Sequence, residues 1–171
     1  MKTPRRNKDK TALVPGCFDP VTKGHMFLVD HAAKKYGKVY VTVFINKDKN
    51  CFFDLDERLT LLRAACAGYD NVEVDADGGM LWQYAQRKEI SVSVRGWRDE
   101  RDLAYEKEMA AYNSSALSSL RTELIRCPKA LRQISSTCVR RALQSGEDVF
   151  DAVPGETVSL LRTFMKKRSE Q

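Results

Sequence analysis

The residue types best suited to chemistry crowd into Leu13-Val14-Pro15-Gly16-Cys17-Phe18-Asp19-Pro20-Val21-Thr22-Lys23-Gly24-His25. An apolar strand end passes through a Pro-Gly turn, and a Thr-x-Gly-His tetrad then enters the first turn of a helix. Gly16 and Gly24 lack a Cβ, so the backbone can approach a ligand closely there. The helix after Thr22 aims free N–H groups and the positive end of its dipole back at the turn. That is a seat for an anion, most naturally a phosphate, and His25 adds a donor. Arg95 and Arg98 supply guanidinium forks suited to phosphate oxygens. Lys49 supplies a mobile point charge, and Ser135-Ser136-Thr137 open a helix with hydroxyls and backbone N–H groups. No nucleophile stands beside a base, and no carboxylate cluster could cage a metal. The pattern favours direct in-line transfer on a polyphosphate, with Mg²⁺ held by substrate phosphates and water. His31, mid-helix and outside any motif, reads as structural or exposed.

These groups need elements to position them. Residues 11–14 read as a short buried strand, and Met26, Val29, Ala33 and Tyr36 recur at helical spacing, predicting a helix over 23–36 that Gly37 ends. A β-branched and aromatic run at 39–45 is a second strand, buried on both faces. Asp54 with Glu57 forms a capping box that opens a helix stopped by Gly68. A third strand is expected at 71–75, a helix at 80–88 and a fourth strand at 90–94, with Arg95-Gly96-Trp97-Arg98 directly after it. The long helix 100–117 offers Leu103, Tyr105, Met109 and Tyr112 as core positions, and 120–126 is a fifth strand. A helix opening at 135–137 closes at Gly146, and a last one runs over about 155–167. Strands alternating with helices imply an α/β fold, a doubly wound parallel five-stranded sheet with helices on both faces and a C-terminal helical segment. Ligands bind such sheets beyond the carboxyl ends of the strands. The phosphate-friendly turns and the cations all follow strands.

The chain has 171 residues, 43% of them hydrophobic, which suits one domain over 11–171 with a basic, flexible extension over 1–10. The net charge of +6 sits largely in Arg5, Arg6, Lys8, Lys10, Lys166, Lys167 and Arg168. No aromatic residues interleave them, so solvated tails are expected rather than a nucleic-acid surface. No apolar run could span a bilayer, so no membrane partner is expected. Five scattered cysteines without a Cys-x-x-Cys argue against disulfides and for a reducing, cytoplasmic setting.

Four ordered motifs resemble the bacterial-type phosphopantetheine adenylyltransferases, within the (His/Thr)-x-Gly-His nucleotidyltransferase superfamily. They are Pro15-Gly16-Cys17-Phe18-Asp19-Pro20…Thr22-Lys23-Gly24-His25; Lys49 with Phe53-x-Leu55-x-Glu57-Arg58; Arg95-Gly96-Trp97-Arg98…Asp102…Tyr105-Glu106; and Ile134-Ser135-Ser136-Thr137. The resemblance implies a Rossmann-like fold, a homo-oligomer that is commonly a hexamer, and adenylyl transfer from ATP to 4′-phosphopantetheine with Mg²⁺. It implies His25, Lys49 and Arg98 as the catalytic set. Nucleotide contacts would come from Cys17, Phe18, His25, Gly96, Trp97, Arg98, Glu106 and the run Leu131, Arg132, Gln133, Ile134, Ser135, Ser136, Thr137. Acceptor contacts would come from Cys17, Lys49, Leu81 and Arg95. Cys17 stands where the family usually has threonine, Leu131 where an aromatic residue is common, and Lys47 where proline is usual. Transfer to a different phosphate acceptor and a catalytically weak nucleotide-binding relative therefore remain as alternatives.

Overall fold

Residues Asn7–Gly16 form the central strand, β1, of a five-stranded sheet. The computed structural model describes residues 7–46, 48 and 50–170. On one side of β1 lie β2 (Tyr36–Phe44) and β3 (Val72–Asp77); on the other lie β4 (Val92–Trp97) and β5 (Arg121–Arg126). The order is β3-β2-β1-β4-β5 and every pairing is parallel. The chain thus winds outward one way from β1, then crosses back and winds the other way from β4.

Alternation along the strands divides the core. Ala12 and Val14 of β1 join Val39, Val41, Val92 and Val94 under α1 (Lys23–Lys35), α2 (Leu55–Cys66), α5 (Ser136–Gln144) and α6 (Val158–Ser169). Leu13 and Tyr40 point to the opposite face and pack with Tyr84 and Ala85 of α3 (Leu81–Arg87) and with Ile90 and Leu120. The remaining helix, α4 (Glu100–Ala116), lies on this second side. Helices cover both faces, as the sequence implied. Asp54 caps α2 through a reciprocal pair: it accepts from Glu57 N at 2.8 Å, and Asp54 N donates to Glu57 Oε2 at 3.1 Å. Among the described residues no helix is long and apolar enough to cross a membrane.

Four expectations are corrected. Strand β1 begins at Asn7, paired with Tyr36, rather than at Thr11; residues 1–6 of the expected extension lie outside the described residues. Gly37 lies inside β2 and does not stop α1, because the Tyr36 end of the strand is recruited by that same pairing. Strand β4 runs through Trp97, since its ladder with β5 extends to Trp97 opposite Arg126. Arg95 and Gly96 are therefore strand residues on alternate faces rather than loop residues. Helix α4 buries Glu106 and Asn113, while Tyr105 is 58% and Tyr112 47% exposed.

Candidate active site

Between β1 and β4 the connections leave in opposite directions, and two cavities open at the carboxyl ends of these strands. The smaller, of about 230 Å³, lies by the start of α1; Thr22, Gly24, His25, Gly96, Arg98 and Ser135 are among its walls. The larger, of about 640 Å³, lies on the α4 side; Gly16, Cys17, Leu81, Arg95 and Glu106 are among its walls. The β1 turn passes between them.

His25 sits at position N3 of α1 and closes the capping box with its own ring. Thr22 N donates to His25 Nδ1 at 3.0 Å, and His25 N donates back to Thr22 Oγ1 at 3.4 Å. The Nδ1 lone pair is spent on a backbone N–H, so a neutral ring carries its proton on Nε2. Burial first, and then the charges of Arg95 and Arg98, lower the imidazole pKa to about 4. Near neutrality this site holds an oriented, uncharged N–H donor. The Phe18 ring packs against the imidazole with centroids 4.9 Å apart.

The turn before α1 is tied down from several sides. Phe18 takes a left-handed φ of 48°, and its buried ring lies so close under Gly16 that a Cβ there would meet it at 3.1 Å. Buried Arg58 donates to Cys17 O at 3.1 Å, Arg140 to Asp19 O at 2.6 Å, and Ser136 Oγ to Pro20 O at 2.8 Å. The Asp19 carboxylate accepts from Phe52 N and Phe53 N at 2.9 and 2.8 Å. Helices α2 and α5 thereby fix one loop.

The two arginines are held differently. Arg95 makes a two-pronged pair with buried Glu106, Nε–Oε2 2.8 Å and NH2–Oε1 2.6 Å, and donates to Pro15 O at 2.9 Å. Arg98 is paired to Asp102 one turn into α4, Nε–Oδ2 2.7 Å, at a more open position.

This geometry can be set beside known proteins. The cytidylyltransferase-like family model matches residues 13–142. A phosphopantetheine adenylyltransferase from Bordetella avium is 38% identical over 161 residues, covering 94% of this chain and 96% of the relative. One from Streptomyces coelicolor is 35% identical over 159 residues, covering 93% and 99%. The chain belongs to the phosphopantetheine adenylyltransferase family. Solved structures share the fold at 19% identity. A Vibrio parahaemolyticus crystal structure assigned as a nicotinate-nucleotide adenylyltransferase aligns with a TM-score of 0.62, over 89% of this chain and 98% of that one. A lipopolysaccharide core biosynthesis protein from Thermoplasma volcanium aligns at 0.51, over 70% and 97%.

Against the residues expected from the family's motifs, the structure brings His25, Gly96, Arg98, Leu131, Ile134, Ser135 and Ser136 to the smaller cavity. It brings Cys17, Leu81 and Arg95 to the larger one. Glu106, expected on the nucleotide side, faces the larger cavity with Arg95. The Phe18 side chain is 1% exposed and lines neither. Trp97 stacks with the Arg126 guanidinium, Arg132 donates to Cys127 O at 3.0 Å, Gln133 is exposed, and Thr137 Oγ1 accepts from Arg140. These four also lie outside both linings. Lys49 and Lys47 lie outside the described residues. His31 bonds Glu123 at 3.2 Å, a structural role as expected. Sequence reasoning missed Leu28 and Cys127 in the smaller cavity and Ser93, Asn113 and Thr122 in the larger. Spacing held the signal for two: Ser93 is two residues before Arg95 on one strand face, and Asn113 is two turns beyond Glu106 on one helix face.

Proposed function

We propose that the chain transfers the adenylyl group of ATP to 4′-phosphopantetheine, releasing dephospho-coenzyme A and pyrophosphate. The observation that carries this reading is the pair of cavities flanking the turn at the β1–β4 switch point, with His25 on one side and Arg95 on the other. ATP occupies the smaller cavity, its triphosphate toward Arg98 and the N-terminus of α5. The acceptor extends into the larger one. An acceptor phosphate oxygen attacks the α-phosphorus in line, the bond to the bridging oxygen breaks, and pyrophosphate leaves. His25 Nε2–H donates to a non-bridging oxygen where charge grows. Among the described residues the smaller cavity's walls include no carboxylate; in this reading Mg²⁺ travels with the substrate phosphates and water. Lys49, Leu81, Arg95 and Cys17 serve the acceptor.

ATP–pyrophosphate exchange tests this: it should require 4′-phosphopantetheine, and exchange in the absence of any acceptor would overturn the in-line scheme. A second reading, transfer to another phosphate acceptor, is favoured by Cys17, whose thiol is a weaker hydrogen-bond donor than the family's usual hydroxyl. A panel of phosphorylated acceptors assayed by pyrophosphate release separates the two. We further read the protein as a cytoplasmic homo-oligomer, a hexamer by family resemblance. The exposed Tyr105 and Tyr112 on α4 support a subunit contact, and sedimentation equilibrium tests it.

A further inference from the structure

Two buried side-chain atoms, Asn71 Oδ1 and Ser93 Oγ, have no hydrogen-bond partner among the described residues. Asn71 is accounted for locally, since its amide nitrogen donates to Ala33 O and Tyr36 O at 3.0 and 2.9 Å, joining α1 to β2. Ser93 has no such explanation. It lies in mid-sheet on β4, opposite Leu13 of β1 and Thr122 of β5, and is 2% exposed. A hydroxyl buried without a partner costs about 1–3 kcal/mol, and an alanine would fit this strand without that cost. Yet Ser93 lines the larger cavity.

The surroundings explain what the hydroxyl faces. Ser93 shares a strand face with Arg95 but sits two residues deeper, roughly 6–7 Å further from the cavity mouth along β4. Thr122 presents a second hydroxyl beside it, and Asn113 of α4, itself 6% exposed, closes the same wall with its amide nitrogen held by Met109 O at 2.9 Å. Phe44, Ile45, Leu81, Met109 and Ala110 make other parts of the lining apolar. The cavity therefore has a charged mouth, apolar sides and a small polar floor.

We propose that Ser93 Oγ is an acceptor-specificity contact: it completes its hydrogen bonding with an amide in the arm of the acceptor, while the acceptor's phosphate stays at the mouth. The hydroxyl both donates and accepts, so it suits either end of an amide. It selects acceptors whose chain carries such a group at that depth over those with a plain alkyl chain. This rests on the reading of the larger cavity as the acceptor site.

Steady-state exchange kinetics of wild type, Ser93→Ala and Ser93→Thr test it, together with thermal melts of the ligand-free proteins. Ser93→Ala should raise the KM for 4′-phosphopantetheine about five- to tenfold, the worth of one neutral hydrogen bond. The KM for ATP and kcat should stay within about twofold, and the ligand-free Tm should hold or rise because an orphaned polar atom is gone. Ser93→Thr should keep the wild-type KM. A short alkyl phosphate, which ends before the floor, should inhibit wild type and Ser93→Ala equally. An unchanged acceptor KM in Ser93→Ala overturns the inference alone, as does a rise in both KM values with a lowered Tm. A Ser93→Thr variant as impaired as Ser93→Ala also overturns it. Wild-type protein without phosphopantetheine-dependent exchange overturns the reading of function, and this inference with it.

Discussion

His25→Ala tests the chemistry at its centre. The imidazole spends Nδ1 on Thr22 N–H at 3.0 Å and is left with Nε2–H as a donor. Its pKa is lowered from 6.5 to about 4, so at pH 7 roughly one molecule in a thousand carries the cation. The substitution therefore removes one preorganised neutral donor. Loss of such a donor to a developing oxyanion costs about 10²–10³ in kcat. The structural cost is smaller, about 1 kcal/mol, because Thr22 N–H loses its acceptor while Thr22 Oγ1 still caps the residue-25 N–H. Acceptor-dependent exchange should thus fall by about 10²–10³ with the KM for ATP little changed and the melt shifted by only a few degrees. The wild-type rate should show no titration of His25 between pH 8 and 6 and should fall as pH approaches 4. There a proton on Nδ1 would face Thr22 N–H and release the ring. Stability follows the same pKa. The unfolded imidazole takes its proton near 6.5 and the folded one resists until about 4. The contribution is full above 6.5 and is lost as pH falls toward 4, up to about 3 kcal/mol. His25→Ala should flatten that limb. A variant keeping more than a tenth of wild-type kcat, or a wild-type kcat that climbs as pH drops through 7 to 6, would refute the neutral-donor assignment.

Other substitutions separate the remaining parts. Glu106→Gln leaves the Arg95 guanidinium, 30% exposed, without its carboxylate; it should cost about 2–3 kcal/mol, less than a fully buried pair, and lower Tm by roughly 5–10 °C in a thermal melt. Gly96→Ala would put a Cβ 3.0 Å from Leu28 Cδ1. Leu28 lines the smaller cavity, so it should swing inward and raise the KM for ATP about fivefold, with the acceptor KM unchanged in steady-state kinetics. Cys17→Thr replaces a weak donor by a hydroxyl at the wall of the larger cavity and should lower the KM for 4′-phosphopantetheine about threefold while the KM for ATP holds.

How much of this was legible in the chain depended on the range of each interaction. The Asp54–Glu57 cap was readable because three residues separate the partners; Thr22 and His25 have the same spacing, but that pair was read only as a phosphate seat. Gly37 was misread because a glycine after an amphipathic run suggests a helix end, while its actual state is set by pairing of the Tyr36 end of β2 with Asn7. In α4 the spacing of Leu103, Tyr105, Met109 and Tyr112 suggested core positions. The helix instead turns Glu106 and Asn113 inward, because Arg95 on a neighbouring strand lies against Glu106 and no local pattern records that partner. The order of cations along the strand ends was legible; which carboxylate each one meets was not. For Ser93 the spacing only places it on the strand face of Arg95; that it lines a cavity depends on β5 and α4, which no local pattern records.

The carboxylate partners decide what each arginine can do. Arg98 and Asp102 are 43% and 29% exposed and one helical turn apart, and such a pair contributes only about 0–1 kcal/mol. A phosphate offering two charged oxygens can displace Asp102 at small cost. Arg95 differs: Glu106 is 8% exposed, and all three of the guanidinium's nitrogens are already engaged with it and with Pro15 O. It is a fixed wall that shapes the larger cavity, whereas Arg98 is free to grip. The division bears on His25. Both arginines help to lower its pKa, but burial is the larger cause. A triphosphate over Arg98 would cancel part of the charge while deepening the burial. The ring that would meet the α-phosphate is the one already oriented by Thr22.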